Sequence, residues 1–243
     1  MTEIVSIGGS IEGLILSILS AEEHNVTLID IHPEIGFPCT IPGWVEQIEV
    51  LQKYLDSDEI NQLNPLQNPN GYAISGEWLF KLLTIKATQS GVNILLRSRV
   101  SNVVQFGTEI TVQYTGGING AGGEISCNKL FDLTGLSTVA PGNLQHQVTQ
   151  QQEENKQPIF SHWGGIALSQ ECQNNIPKPI LQLTRNNGLS ELWYDNKPTW
   201  TPSSGWIETM KNTTPKPIKD MSIDNSIVYG EELFHSINPN NTL

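Results

Sequence analysis

Positive charge is scarce in this chain: 13 Lys and Arg stand against 25 Asp and Glu, for a formal net charge of -12. Such an acidic surface offers nothing basic to a phosphate backbone or an anionic bilayer, so nucleic acid and membrane are not expected partners. Cysteine is nearly absent. Cys39, Cys127 and Cys172 lie far apart, without a CxxC pair or a Cys/His cluster. A disulfide framework and a zinc site are therefore not expected, and a reducing cytoplasm is the natural compartment. No apolar run approaches the roughly 18 residues of a membrane-spanning helix. Residues 1–20 lack the basic start of a signal peptide. No phosphate-binding P-loop, Ser/His/Asp arrangement or metal-binding helix motif is present, which leaves hydrolysis and phosphoryl transfer without support.

What is present is concentrated in residues 3–43. An apolar run (Ile4 to Ile7) meets a glycine turn (Gly8, Gly9), then a helical pattern, then a second apolar run that ends in Asp30. This is a βαβ unit of about thirty residues with an acid about twenty positions beyond the first glycine, the arrangement that binds a dinucleotide. Gly8 permits the tight strand-to-helix turn, and Gly13 lets the helix lie close to the strand. The helix N-terminus offers N–H groups to a pyrophosphate. Asp30 is either the ribose ligand or a strand-end surface acid. Ser10 stands where the motif has its middle glycine, so a Cβ and a hydroxyl crowd the approach of the phosphates.

Along the chain, periodicity predicts strands over 3–8 and 26–30 and a helix over 11–23. Two short helices are expected in 43–63, a connector over 64–71 and a helix over 77–90. Strands follow at 92–96, 99–106, 109–114, 124–127 and 130–133. Residues 141–157 are polar and aperiodic. From 159 to 209 short Trp- and Ile-rich strands at 160–168, 179–185, 190–195 and 204–209 suggest an antiparallel lobe. Ser226–Tyr229 reads as a buried strand.

Four blocks, in order, resemble the FAD-dependent oxidoreductases of the geranylgeranyl reductase, aromatic-ring hydroxylase and halogenase superfamily. They are GGSIEG with LID at 8–13 and 28–30, PEIGFPC at 33–39, the helix-bearing stretch 71–100, and SIVYGEELFHSINP at 226–239. LFDLTGLST at 130–138 is similar to the strand-and-turn block near the flavin. The resemblance implies an FAD-binding site built from Gly8, Gly9, Ser10, Gly13, Asp30, Val100, Thr134, Gly135, Gly230 and Glu231, with NAD(P)H as electron donor. The backbone at Val100 would meet the adenine. Gly230-Glu231 takes the place of a Gly-Asp pair that contacts the ribityl chain. Gly76 stands where an arginine is usual and Phe80 where an aspartate is frequent, and few residues remain for the helix that follows the Gly-Asp pair.

The fold class expected is α/β: a Rossmann-like FAD/NAD(P)-binding domain formed by residues 1–139 and 223–243, with a small antiparallel β substrate lobe at 140–222. The expected function is FAD-dependent oxidoreduction of a small apolar or aromatic substrate, with the reductase, monooxygenase and halogenase branches all open. The alternative is a non-catalytic descendant, or half of a split enzyme completed by a partner chain. No residue presents itself as catalytic and none as a metal ligand. Cys39 is either a substrate-facing thiol or a loop residue. His162, Trp163 and Trp206 line a pocket or belong to a core, and His235 lies either at the flavin edge or in solvent.

Overall fold

The computed structural model describes residues 1–117, 120–134, 159–173, 176–214 and 216–237. In chain order its elements begin with β1 (Glu3–Ile7), α1 (Ile11–Ser20), β2 (Asn25–Ile29), β3 (Trp44–Val45), α2 (Ser57–Gln62), β4 (Leu66–Asn68) and β5 (Gly71–Ala73). Then come α3 (Gly76–Gln89), β6 (Asn93–Leu95), β7 (Ser98–Phe106), β8 (Glu109–Gly116), β9 (Gly123–Cys127) and β10 (Lys129–Asp132). The last are β11 (Phe160–Leu168), β12 (Leu181–Thr184), β13 (Leu189–Tyr194), β14 (Glu208–Thr214) and α4 (Ile223–Ile237). The chain divides into two compact units, Met1–Phe37, Leu83–Lys156 and Ile227–Leu243 in the first, Pro38–Leu82 and Gln157–Ser226 in the second.

The first unit carries a parallel sheet in the order β10-β1-β2-β6 and an antiparallel meander β7-β8-β9. Its strands read as they do because both faces are covered: Ile4, Val5, Ser6 and Ile7 are all buried, so β1 shows a continuous apolar run instead of alternation. Val5, Ile7 and Ile29 share a core with Val100, Val103, Ile110, Val112, Cys127 and Leu130. Helix α1 presents Ile11, Leu14 and Ile15 inward at helical spacing. It stops at Ser20, three residues before the expected end, where Ala21 N–H closes on Ser17 O.

The second unit holds the antiparallel sheet β12-β13-β11-β14 and a small sheet β3-β5-β4. One face of the larger sheet gathers Trp163, Ala167, Leu192 and Tyr194, and the other Ile166, Trp193 and Met210. That division follows the period-2 alternation along β11 and β13.

Four expectations change. The two short helices expected in 43–63 do form, a 3₁₀ helix at Ile48–Lys53 and α2, but Trp44-Val45 ahead of them is a strand paired with β5. The connector 64–71 contains β4, hydrogen-bonded to β5. The strand expected at 204–209 begins only at Glu208. Finally, Ser226–Tyr229 lies inside α4. The local Ile-Val-Tyr run mimics a strand, but the buried positions Ile223, Ile227, Gly230 and Ile237 recur at helical spacing. Ser222 Oγ accepts Asn225 N–H at 3.3 Å and caps the helix start. The polar stretch 141–157 lies outside the described residues.

Candidate functional site

In the first unit the glycine turn, Asp30 and Thr134 meet at the carboxyl ends of β1, β2 and β10, the position where parallel α/β sheets bind ligands. Gly8 has φ +100°, and a Cβ there would stand 2.9 Å from Leu133 backbone atoms. Only glycine allows β1 to turn into α1 while touching the end of β10. A Cβ at Gly13 would fall 2.5 Å from Gly8 O, so that position seats the first turn of α1 on the loop.

Asp30 is buried at the end of β2, and its carboxylate is held from two sides. Gly9 N–H donates to Oδ2 at 2.6 Å, while His32 N–H donates to Oδ1 at 2.7 Å. The His32 ring Nδ1 lies 2.9 Å from the same Oδ1 and donates in its Nδ1–H tautomer. A carboxylate offers about four acceptor positions. These contacts leave room on Oδ2 for one ribose hydroxyl. Ile35 packs over Gly9, and a Cβ at Gly9 would lie 2.8 Å from Ile35 Cγ2 and 2.7 Å from Asp30 Oδ2. Any side chain at position 9 would therefore displace the carboxylate.

Ser10 has a local role. It is the N-cap of α1, and its Oγ accepts Gly13 N–H at 3.2 Å. The serine thus supplies helix stability, about 1 kcal/mol in comparable caps, while occupying one of the N–H groups a pyrophosphate would use. Thr134 is fixed by Asp132, whose Oδ1 accepts both its N–H, at 3.0 Å, and its hydroxyl, at 2.5 Å. Val100 is fully buried in the core and paired with Tyr114, just before a register shift in β7. Gly135 lies outside the described residues.

Gly230 and Glu231 are placed differently from a strand-end turn. Both lie within α4, and a Cβ at Gly230 would fall 2.8 Å from Ile15 Cβ and 2.9 Å from Glu12 O. That glycine lets α4 pack directly on α1.

The residues present fit the adenosine-diphosphate half of FAD: a glycine turn, a helix N-terminus and an anchored acid at the ribose position. They do not fit the ribityl contact drawn from the resemblance, because Gly230-Glu231 is helical.

The second unit holds a buried polar cluster that the sequence did not signal. Arg185, 4% exposed, donates through Nη2 to Glu191 Oε2 at 2.5 Å and through Nη1 to Glu77 Oε2 at 3.4 Å. Glu191, 1% exposed, also accepts from Trp193 Nε1 at 2.5 Å and from Gly43 N at 3.1 Å. Arg185 and Glu191 are six residues apart across a hairpin, a spacing with no sequence signature. Cys39 is buried in the same unit, its Sγ 3.7 Å from Ile41 O and 2.9 Å from where a Cβ on Gly76 would stand. Burial, reinforced by Glu77 and Glu191, pushes its thiol far above the ordinary range. It is no reactive thiolate. His235 is exposed on α4 with its ring against Phe234. Trp163 stacks edge-on against Trp206 within the sheet core.

Among the described residues no group of His, Cys, Asp and Glu could hold a metal ion, and no helix is long and apolar enough to cross a membrane.

No family model matches the sequence, and no curated protein matches it. Solved structures do match in fold. A geranylgeranyl bacteriochlorophyll reductase-like protein from Thermoplasma acidophilum aligns with a TM-score of 0.67 at 12% identity, over 99% of this chain and 79% of its own. A flavoprotein/dehydrogenase from Cytophaga hutchinsonii gives 0.64 at 11% identity, over 99% and 80%. The p-nitrophenol 4-monooxygenase of Pseudomonas putida gives 0.65 at 10% identity, over 100% and 82%. AlpK matches at 0.62 and 12% identity, and this chain spans 63% of its length. The chain is thus similar in fold to a reductase-like protein, a flavoprotein/dehydrogenase and a monooxygenase.

Proposed function

We propose that this chain binds FAD through its first unit and is an FAD-dependent oxidoreductase acting on a small apolar or aromatic substrate. The observation that carries the reading is Asp30, fixed at the end of β2 by Gly9 N–H at 2.6 Å with an acceptor position still open. In this reading Asp30 accepts a ribose hydroxyl and Gly8 and Gly13 keep the turn low enough for a pyrophosphate to reach the α1 N-terminus. Thr134 lies toward the flavin. When bound, the flavin supplies hydride or oxygen chemistry, with NAD(P)H the natural electron donor. In this reading the first unit is the cofactor domain and the second, which takes in Pro38–Leu82 as well as Gln157–Ser226, is the substrate lobe, in a cytoplasmic protein.

The test is the visible absorbance of purified protein, before and after incubation with excess FAD and desalting. Retained flavin bands are expected, with Asp30→Ala weakening binding by about tenfold for one charge-assisted hydrogen bond. A colourless protein that binds neither FAD nor ADP would overturn the reading.

A second reading is favoured by the helical placement of Gly230 and Glu231. With no ribityl contact there, the chain would hold the ADP half without turnover, as a non-catalytic relative or as one half of a split enzyme whose partner chain supplies the missing contact. ADP binding as tight as FAD binding, without retained colour, would select it.

A further inference from the structure

Two hairpin turns of the second unit carry the dipeptide Asn-Gly, and the fold treats them differently. Between β12 and β13 the chain turns through Asn186, Asn187 and Gly188, all exposed. Arg185 N–H donates to Leu189 O at 2.8 Å to close the hairpin, and Gly188 has φ +79°, the left-handed residue that ends a three-residue turn. The Asn187 side chain folds back over this turn, with Leu189 N–H donating to its Oδ1 at 3.2 Å. That bond carries the side-chain carbonyl across the Gly188 nitrogen, whose own N–H makes only a long contact of 3.4 Å to Arg185 O. A Cβ built on Gly188 would meet nothing within 4 Å, so the turn has room to change shape.

At Asn70-Gly71, between β4 and β5, the backbone is held instead. Asn70 O accepts Trp44 Nε1–H at 2.9 Å. Gly71 is paired with Asn68 and lies so close to Val45 that its carbonyl oxygen would clash with a Cβ there.

We infer that Asn187-Gly188 is a self-modifying site, which converts to aspartate and isoaspartate through a cyclic imide with water as the only co-reactant, while Asn70-Gly71 stays intact. Loss of the Gly188 amide proton to hydroxide lets that nitrogen attack Asn187 Cγ. The Cγ–Nδ2 bond breaks and ammonia leaves, closing a five-membered imide. During the attack charge builds on Oδ1, where Leu189 N–H already donates, so the fold stabilises the transition state as an oxyanion hole does. Water then opens the imide. Breaking its bond at Cγ gives aspartate, and breaking its bond at the main-chain carbonyl gives isoaspartate. The second product adds a methylene to the backbone between Arg185 and Leu189. It disturbs the bond from Arg185 N–H to Leu189 O and the bond of 2.9 Å from Ser169 N–H to Gly188 O. The buried Arg185–Glu191 pair adjoins that turn, so conversion loosens the second unit. The reaction needs no flavin and stands apart from the oxidoreductase reading.

The test ages the full-length protein in H₂¹⁸O at mildly alkaline pH and follows each asparagine by peptide mass mapping. Folded protein is expected to take up ¹⁸O at Asn187 about tenfold faster than at Asn70, the rate equivalent of one hydrogen bond to the developing oxyanion. In urea-unfolded protein the two rates should become equal, since nothing then holds either amide. The third Asn-Gly pair, at 119–120, falls on a separate peptide and does not enter the ratio. Asn187→Ser keeps an oxygen acceptor in the turn and removes the leaving group. Aged Asn187→Ser should therefore keep its urea unfolding midpoint, while aged wild type loses part of its own. Three results would each overturn the inference: no conversion at Asn187 in the folded protein, a folded ratio of the two rates equal to the unfolded one, or an equal midpoint loss in the two aged proteins.

Discussion

Replacing Arg185 by methionine should cost the second unit much of its stability. The guanidinium is 4% exposed and bonds two carboxylates, of which Glu191 is 1% exposed. Methionine keeps most of the volume but leaves the Glu191 carboxylate buried with only neutral donors, Trp193 Nε1–H and Gly43 N–H. Breaking one partner of a buried pair costs about 3–5 kcal/mol, because the remaining charge is uncompensated. With a urea m-value of about 2 kcal/mol/M, the unfolding midpoint should fall by about 2 M. Glu191→Gln should cost less, since Arg185 keeps Glu77 as counter-ion. The double variant Arg185→Met with Glu191→Gln should recover part of the loss, because a neutral amide oxygen still accepts from Trp193 Nε1–H and Gly43 N–H while no charge is left buried at either position. Urea unfolding followed by tryptophan fluorescence reads all three, as Trp193 is fully buried and donates to Glu191. A midpoint shift below about 0.5 M in Arg185→Met, or a double variant no better than the single, would refute the argument.

Ser10→Gly should lower thermal stability by only a few tenths of a kcal/mol, since glycine is a tolerable N-cap. It frees Gly13 N–H, so FAD or ADP affinity measured by calorimetry should rise. Unchanged or weaker binding would show that the serine does not compete with phosphate. The three cysteines should be silent toward a thiol reagent at pH 8 in the native protein and all react after denaturation. All are buried, and burial pushes Cys127 to about 11 and raises Cys172 and Cys39. A fast native reaction at Cys39 would restore it as a reactive group. Gly165→Ala should destabilise by about 1–3 kcal/mol through overpacking, because its Cβ would fall 2.4 Å from the Trp206 ring and 2.8 Å from Trp163. A neutral effect on the melting temperature would mean that the indoles can move aside.

Much of the first unit was legible because its signals are local. The β1–α1–β2 pattern, Gly8, Gly13 and Asp30 lie within thirty residues, and chain sterics and burial periodicity fix their structure with little help from distant contacts. The meander β7-β8-β9 was equally readable, its strands alternating between core and solvent. Where the reading failed, a distant partner decided the outcome. Trp44-Val45 became a strand because Tyr72 and Ala73 lie beside it, and Ser226–Tyr229 became helix because burial at Ile223, Ile227, Gly230 and Ile237 outweighs the β-propensity of three residues.

The sequence by itself determined that a glycine turn and an acid would stand at the ends of neighbouring parallel strands, since that geometry follows from the order of residues along one βαβ unit. Only the tertiary structure decided how those groups are used. It spent two faces of the Asp30 carboxylate on Gly9 and His32, turned Ser10 into a helix cap, and made Gly230 a contact between helices. It also assembled Arg185, Glu191 and Glu77 and left His162 without a hydrogen-bond partner. The physical reason is common to all of these. Hydrogen-bond satisfaction and close packing are properties of groups that meet in space, and residues as far apart as Gly43 and Glu191 carry no mark of their meeting until the chain has folded.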